Sequence, residues 1–138
     1  LDSFLLEYAF SMALTKPEPS RALEESSVLT RAVTRAAALL GLTQRQVAEA
    51  LGLSGPTTPP LSTGKYLLSP TRSKEWELAV LLVRLFRSLD ALWGHEGTAR
   101  AWLASYNTSL GAPPLELIKS AAGLVRVVDY LDHARGRV

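Results

Sequence analysis

The chain reads as an all-α protein, and three observations point that way. Apolar residues recur at spacings of three and four along most of its length, no period-two alternation lasts beyond a few residues, and helix start and stop signals punctuate the pattern. The clearest start signal is Thr43-Gln44-Arg45-Gln46. It spells a capping box, in which the Thr43 hydroxyl accepts from the Gln46 backbone N–H while the Gln46 side chain reaches back to Thr43.

Residues 2–14 predict a first helix with Leu5, Tyr8 and Met12 on one face and Leu6, Phe10 and Ala13 on another. A helix apolar nearly all round needs burial on several sides, which suits an arm that makes a dimer interface or wraps the body. Lys16-Pro17-Glu18-Pro19-Ser20 reads as a linker. Residues 27–40 form the next helix, with Val28, Leu29, Val33, Ala36, Ala37 and Leu40 as its apolar stripe and Gly41 as a left-handed cap. The capping box then opens a short helix carrying Val47, Ala48 and Leu51, which Gly52 ends.

Segment 54–65 breaks the pattern. Pro56 fits a first helical turn, but Pro59 and Pro60 each remove a backbone donor and clash with the preceding turn, at about 3 kcal/mol apiece in a helix interior. The longest helix is expected from Ser69-Pro70, or from Ser73, to about Trp93. Leu78, Leu81, Leu82, Leu85, Leu89 and Leu92 line one face, Trp76, Val80, Val83 and Phe86 line others, and a narrow polar strip remains around Arg84, Arg87 and Ser88. Such a helix is clasped by neighbours on two sides.

Three short helices complete the chain. Ala99, Trp102, Leu103 and Tyr106 form a buried face, and Asn107 tolerates the left-handed geometry that ends a helix. Pro113 and Pro114 open the next, with Leu115 and Ile118 inward. The last carries Leu124, Val127, Val128 and Leu131 inward, with Asp129 and Asp132 turned outward.

Composition bounds the alternatives. A chain of 138 residues, 47% hydrophobic and 20% charged, suffices for one core or for two small helical units sharing a central helix. The absence of cysteine excludes disulfides and thiolate chemistry and fits a cytoplasmic protein. The most apolar run, 78–83, stops at Arg84, far short of the roughly twenty residues a membrane span needs. Around Phe4-Leu5-Leu6 there is no basic lead and Glu7 intervenes, a poor signal peptide, and Leu1 is an unusual start, so further residues are expected before it.

Charge is uneven. Basic residues number two against five acidic in 1–25, six against two in 26–75, and seven against six in 76–138. Arg31, Arg35, Arg45, Lys65, Arg72 and Lys74 supply the central excess and suit contacts to phosphates, although an ordinary solvated surface has the same composition. Catalysis finds no constellation. His95-Glu96 begins like a zinc-binding H-E-x-x-H, but Ala99 stands where the second ligand belongs. His133 beside Asp132 reads as an exposed pair near a helix end, and no phosphate-binding glycine loop occurs, so neither an enzyme nor a cofactor is expected.

Two stretches carry a family resemblance. Leu40-Gly41-Leu42-Thr43-Gln44 through Val47-Ala48, then Leu51-Gly52-Leu53-Ser54, resembles the first half of an Xre-type helix-turn-helix, with Thr63-Gly64-Lys65 matching the turn after the recognition helix. Trp102, Leu103, Asn107, Leu110, Gly111, Pro114, Leu115, Leu117, Ile118, Gly123, Val127, Leu131 and Gly136 fall in the order of the toxin-binding domain of Xre/MbcA/ParS antitoxins. With this resemblance the chain divides into an N-terminal arm and linker over 1–25, whose apolar helix suits dimerisation, a helix-turn-helix unit over 26–88, whose recognition helix departs from the family at Pro59 and Pro60, and a toxin-binding unit over 89–138. The resemblance implies an antitoxin that covers the active-site cleft of a cognate RES-domain toxin acting on NAD, working as a homodimer within a larger complex and repressing its own operon through operator DNA. A stand-alone helix-turn-helix regulator is the alternative.

The residues so implied for toxin binding are Trp102, Asn107, Pro114, Leu115, Gly123, Arg126, Tyr130, His133, Arg135, Gly136, Arg137 and Val138. Arg135 or Arg137 would enter the cleft, with Gly136 letting the chain turn. For DNA they are Gln44, Arg45, Thr57, Thr58, Ser62 and Lys65.

Overall fold

A computed structural model describes residue 5 and residues 19–53, 60–94 and 96–136. Among these residues the protein is all-α, as the periodicity predicts. It has six α-helices: α1 Pro19–Leu40, α2 Gln44–Ala50, α3 Ser73–Trp93, α4 Glu96–Ala104, α5 Pro114–Leu117 and α6 Ala121–Ala134, with a 3-10 turn at Leu61–Thr63. The expected helix over 2–14 and its dimer role lie outside the described residues, Leu5 apart.

The central helix α3 packs most extensively on α6 and then on α1, so both halves of the chain share it. Leu78, Leu82, Leu85 and Leu89 are buried along it, facing Val33, Ala37 and Leu40 of α1 and Leu124, Val127 and Leu131 of α6 in one continuous core. None of the described helices is long and apolar enough to cross a membrane.

Local signals place the element ends well. The Thr43 capping box forms, with Gln46 N donating to Thr43 Oγ1 at 3.1 Å and Thr43 N to Gln46 Oε1 at 2.8 Å. Gly41 and Gly52 take the left-handed conformation at φ 72° and 69°. Of the two starts weighed for the central helix, Ser73 is the one found.

Several expectations need correction. Helix α1 begins at Pro19, not at 27, because a proline costs nothing in a first turn, and at 22 residues it outruns α3 by one. Val28 is 53% exposed instead of joining the stripe, and within α2 it is Ala50, not Ala48, that is fully buried. Ser88 is completely buried where a polar strip is expected. Asp132 is buried as well, since α6 lies so close to α3 that this face is covered and the acid meets Arg84.

Candidate functional site

The C-terminal half is organised by a tight loop after α4. That helix stops at Ala104, where Ser105 Oγ turns back to donate to Ala101 O at 2.6 Å. The register is therefore lost before Tyr106, which is 67% exposed instead of joining the buried face. Asn107 is not left-handed either, since no residue other than glycine has positive φ among those described. Its Oδ1 accepts from Leu110 N at 3.0 Å and its backbone bridges Ala112, while Gly111 supplies the left-handed turn at φ 78°. Arg126 of α6 ties the same loop down by donating to Leu110 O at 3.1 Å.

Pro114 then opens α5 and is buried. Leu115 is only half-buried, and Ile118 completes the inward face. Gly123, in the first turn of α6, is a packing requirement: a Cβ there would fall 1.9 Å from the Leu117 carbonyl oxygen. The Ser120 hydroxyl caps the same turn by accepting from Gly123 N at 3.1 Å. Asn107, Pro114 and Gly123 thus build the unit from inside. Of these expected contact residues Pro114 and Gly123 are buried, and the Asn107 side-chain oxygen is engaged within the loop.

What faces out is a strip of α6 and an aromatic stack beside it. Val125, Arg126, Asp129 and His133 are exposed on successive turns, with Val125 at 44%. Tyr130, half-buried, lies with its ring stacked on Trp102 at 6.1 Å and 20°, and Trp102 meets Trp93 at 5.5 Å and 35°. The stack joins the end of α3, the last turn of α4 and the second half of α6. Trp93 is the member that sequence reading misses. At the end of a long apolar helix it looks like one more core residue, and only the fold brings it beside Trp102. His133 is not paired with Asp132; its Nδ1 donates to Asp129 O at 2.8 Å.

Arg135 changes its expected role. Its Nη1 donates to the buried Ser88 hydroxyl at 2.9 Å, which turns the side chain back onto α3 rather than outward. Gly136 is left-handed at φ 76°, and Arg137 and Val138 lie outside the described residues.

In the N-terminal half, Leu61–Thr63 forms only a 3-10 turn and Gly64 a left-handed cap at φ 74°, so no α-helix occurs between Ala50 and Ser73 among the described residues. Thr57 and Thr58 are outside them. Arg72, expected to suit phosphate contacts, has partners within the chain. It donates to Glu75 Oε2 at 3.1 Å and lies over the Tyr66 ring, while the Tyr66 hydroxyl donates to the same carboxylate at 2.8 Å. Arg45 is exposed and within 3.8 Å of Glu49. Gln44 and Lys65 are exposed at the two turns. Ser62 lines an open groove of about 630 Å³ together with Arg31, Arg35, Ser27 and Thr34.

The described residues form two small helical units that share one central helix. The antitoxin Xre-like helix-turn-helix domain matches residues 20–84, and the antitoxin Xre/MbcA/ParS C-terminal toxin-binding domain matches residues 88–137. The chain belongs to the Xre/MbcA/ParS-type antitoxins. Comparison with curated proteins yields no match.

Proposed function

We propose that the protein captures and neutralises a RES-domain toxin acting on NAD, with the outward strip of α6 and the Trp93–Trp102–Tyr130 stack as the docking surface and the residues after Arg135 reaching the toxin's cleft. The family resemblance supports the kind of toxin. The observation that carries the surface is the stack itself, because aromatic rings left half-open beside an exposed helix strip are the usual anchors of protein interfaces. Arg137, rather than Arg135, is the arginine that enters the cleft, since Arg135 is held by Ser88.

Co-expression with a RES-domain toxin tests this through copurification and NAD consumption. Val125→Glu and Tyr130→Ala should each weaken capture by at least about tenfold, because Val125 is the exposed apolar residue of the strip and Tyr130 belongs to the stack beside it. Val80→Glu, at an exposed position on α3, should not. Equal capture by all three variants would place the interface elsewhere.

Operon control by a homodimer is the second part of the reading, and the groove holding Arg31, Arg35 and Ser62 supports its contact with DNA alone. Two arginines one helical turn apart suit neighbouring phosphates more than base edges. Duplex binding should therefore fall steeply with salt and discriminate little between sequences. High discrimination for one operator at physiological salt would contradict it.

A further inference from the structure

We infer that Arg100 is a positioning residue that clasps the toxin-binding unit to the helix-turn-helix unit, so that the Trp102 surface and the turn between α1 and α2 move as one body. Helix α1 has no basic residue in its last turn, and Gly41 N, just past its end, reaches Ala38 O at 3.2 Å, which leaves room for further donors. Arg100, on α4, supplies them from 61 residues away: its Nε donates to Leu39 O at 2.9 Å and its Nη2 to Ala38 O at 2.9 Å. A guanidinium suits this place twice over, because its planar fork spans two oxygens and its charge meets the negative end of the helix.

Gly41 makes room for the clasp. Its left-handed φ of 72° already favours glycine, and a Cβ there would also come within 3.2 Å of Arg100 Nε and 3.3 Å of Cδ. The stem of Arg100 therefore lies across the bare backbone of the turn. Leu42 and the Thr43 capping box follow at once, so the clasped turn sets how α2 leaves α1.

Apolar packing does not make this joint by itself. A cavity of about 160 Å³ lies between the end of α1, α3 and α4, bordered by Leu39, Leu40, Phe86, Leu89, Asp90 and Ala99. The polar clasp closes on Leu39, at one edge of this cavity. On the other side of the same short helix, Trp102 stacks on Tyr130. A partner bearing on Trp102 therefore presses on a helix whose neighbouring residue but one holds the helix-turn-helix, and by linkage the effect runs both ways. This consequence rests on the proposed toxin surface; the clasp itself does not.

Native-state hydrogen exchange on the whole chain without a partner tests the clasp. In the intact protein the amides of Leu40 and Leu42, at the clasped turn, and of Leu103, on α4, should open in one event with the same denaturant dependence. In Arg100→Ala the Leu103 amide should exchange at least about tenfold faster than those of the turn, the loss expected for charge-assisted bonds. A contact that merely added stability would speed all three by the same factor. Arg100→Lys keeps the charge and one donor but not the fork, so it should restore part of the common behaviour, and it serves if the alanine variant fails to fold. Amides that still open together in both variants overturn the inference.

A second arm adds a RES-domain toxin. Capture should slow exchange at Leu40 and Leu42 in the intact chain and leave it unchanged in Arg100→Ala, whereas slowing in both would mean that the coupling bypasses Arg100. If the intact chain captures no such toxin, the functional reading falls while the partner-free comparison still decides the clasp.

Discussion

The guanidinium of Arg84 meets the carboxylate of Asp132 at 2.6 Å across the interface between α3 and α6, with the acid buried and the base half in water. One carboxylate oxygen accepts from Arg84, and the other is buried without a protein partner among the described residues. The burial is one-sided, and the energetics should follow it.

Removing the base strands a buried acid, whereas removing the acid releases a cation that water can reach. Arg84→Ala should therefore cost more stability than Asp132→Ala, about 2 kcal/mol against about 1. Urea denaturation of the two variants checks the order. The reverse order would mean that Asp132 is already well hydrated.

Gly123 and Gly136 should respond very differently to alanine. At Gly123 the new methyl meets the Leu117 backbone, which has no flexible end to move aside, so Gly123→Ala should cost about 3 kcal/mol or more and pry α5 from α6. At Gly136 nothing lies within 4 Å of an added Cβ and only the left-handed conformation is penalised, by about 1 kcal/mol. Thermal unfolding of the pair reads the difference.

Stability should decline on the alkaline side through Tyr66. Burial first, and then its hydrogen bond to Glu75, raise the Tyr66 hydroxyl above its ordinary value of 10.0. The folded chain therefore holds this proton more tightly than the unfolded chain, so the contribution is complete below about pH 10 and is lost as pH rises through the folded value. Tyr66→Phe should cost about 1 kcal/mol at neutral pH and flatten that alkaline decline. An unchanged pH profile in the variant would assign the decline to another group.

The tail separates into a structural and a functional part. Arg135→Ala should destabilise folding by about 1 kcal/mol, since the buried Ser88 hydroxyl loses its donor. Ending the chain at Arg135 keeps that bond and should keep most toxin capture while restoring some toxin activity within the complex. Capture and NAD consumption measured side by side decide it. Full inhibition by the shortened chain at equal occupancy would make the last residues bystanders.

Sequence alone determined the helical class, the capping box at Thr43, the glycine ends at Gly41 and Gly52 and the family of the toxin-binding half. All are local signals or ordered motifs whose physics acts within a few residues. It also singled out Trp102, Tyr130 and Gly123, but not what separates them, since an anchor, a stacked partner and a packing glycine look alike in one dimension. The tertiary structure decided that Asp132 and Ser88 are inside, that Tyr106 is outside, that Trp93 joins the aromatic stack and that Arg100 reaches α1. Helical periodicity states which residues share a face. It does not state how many faces are covered, or which distant backbone an arginine will find, because both depend on how closely α3, α4 and α6 approach one another.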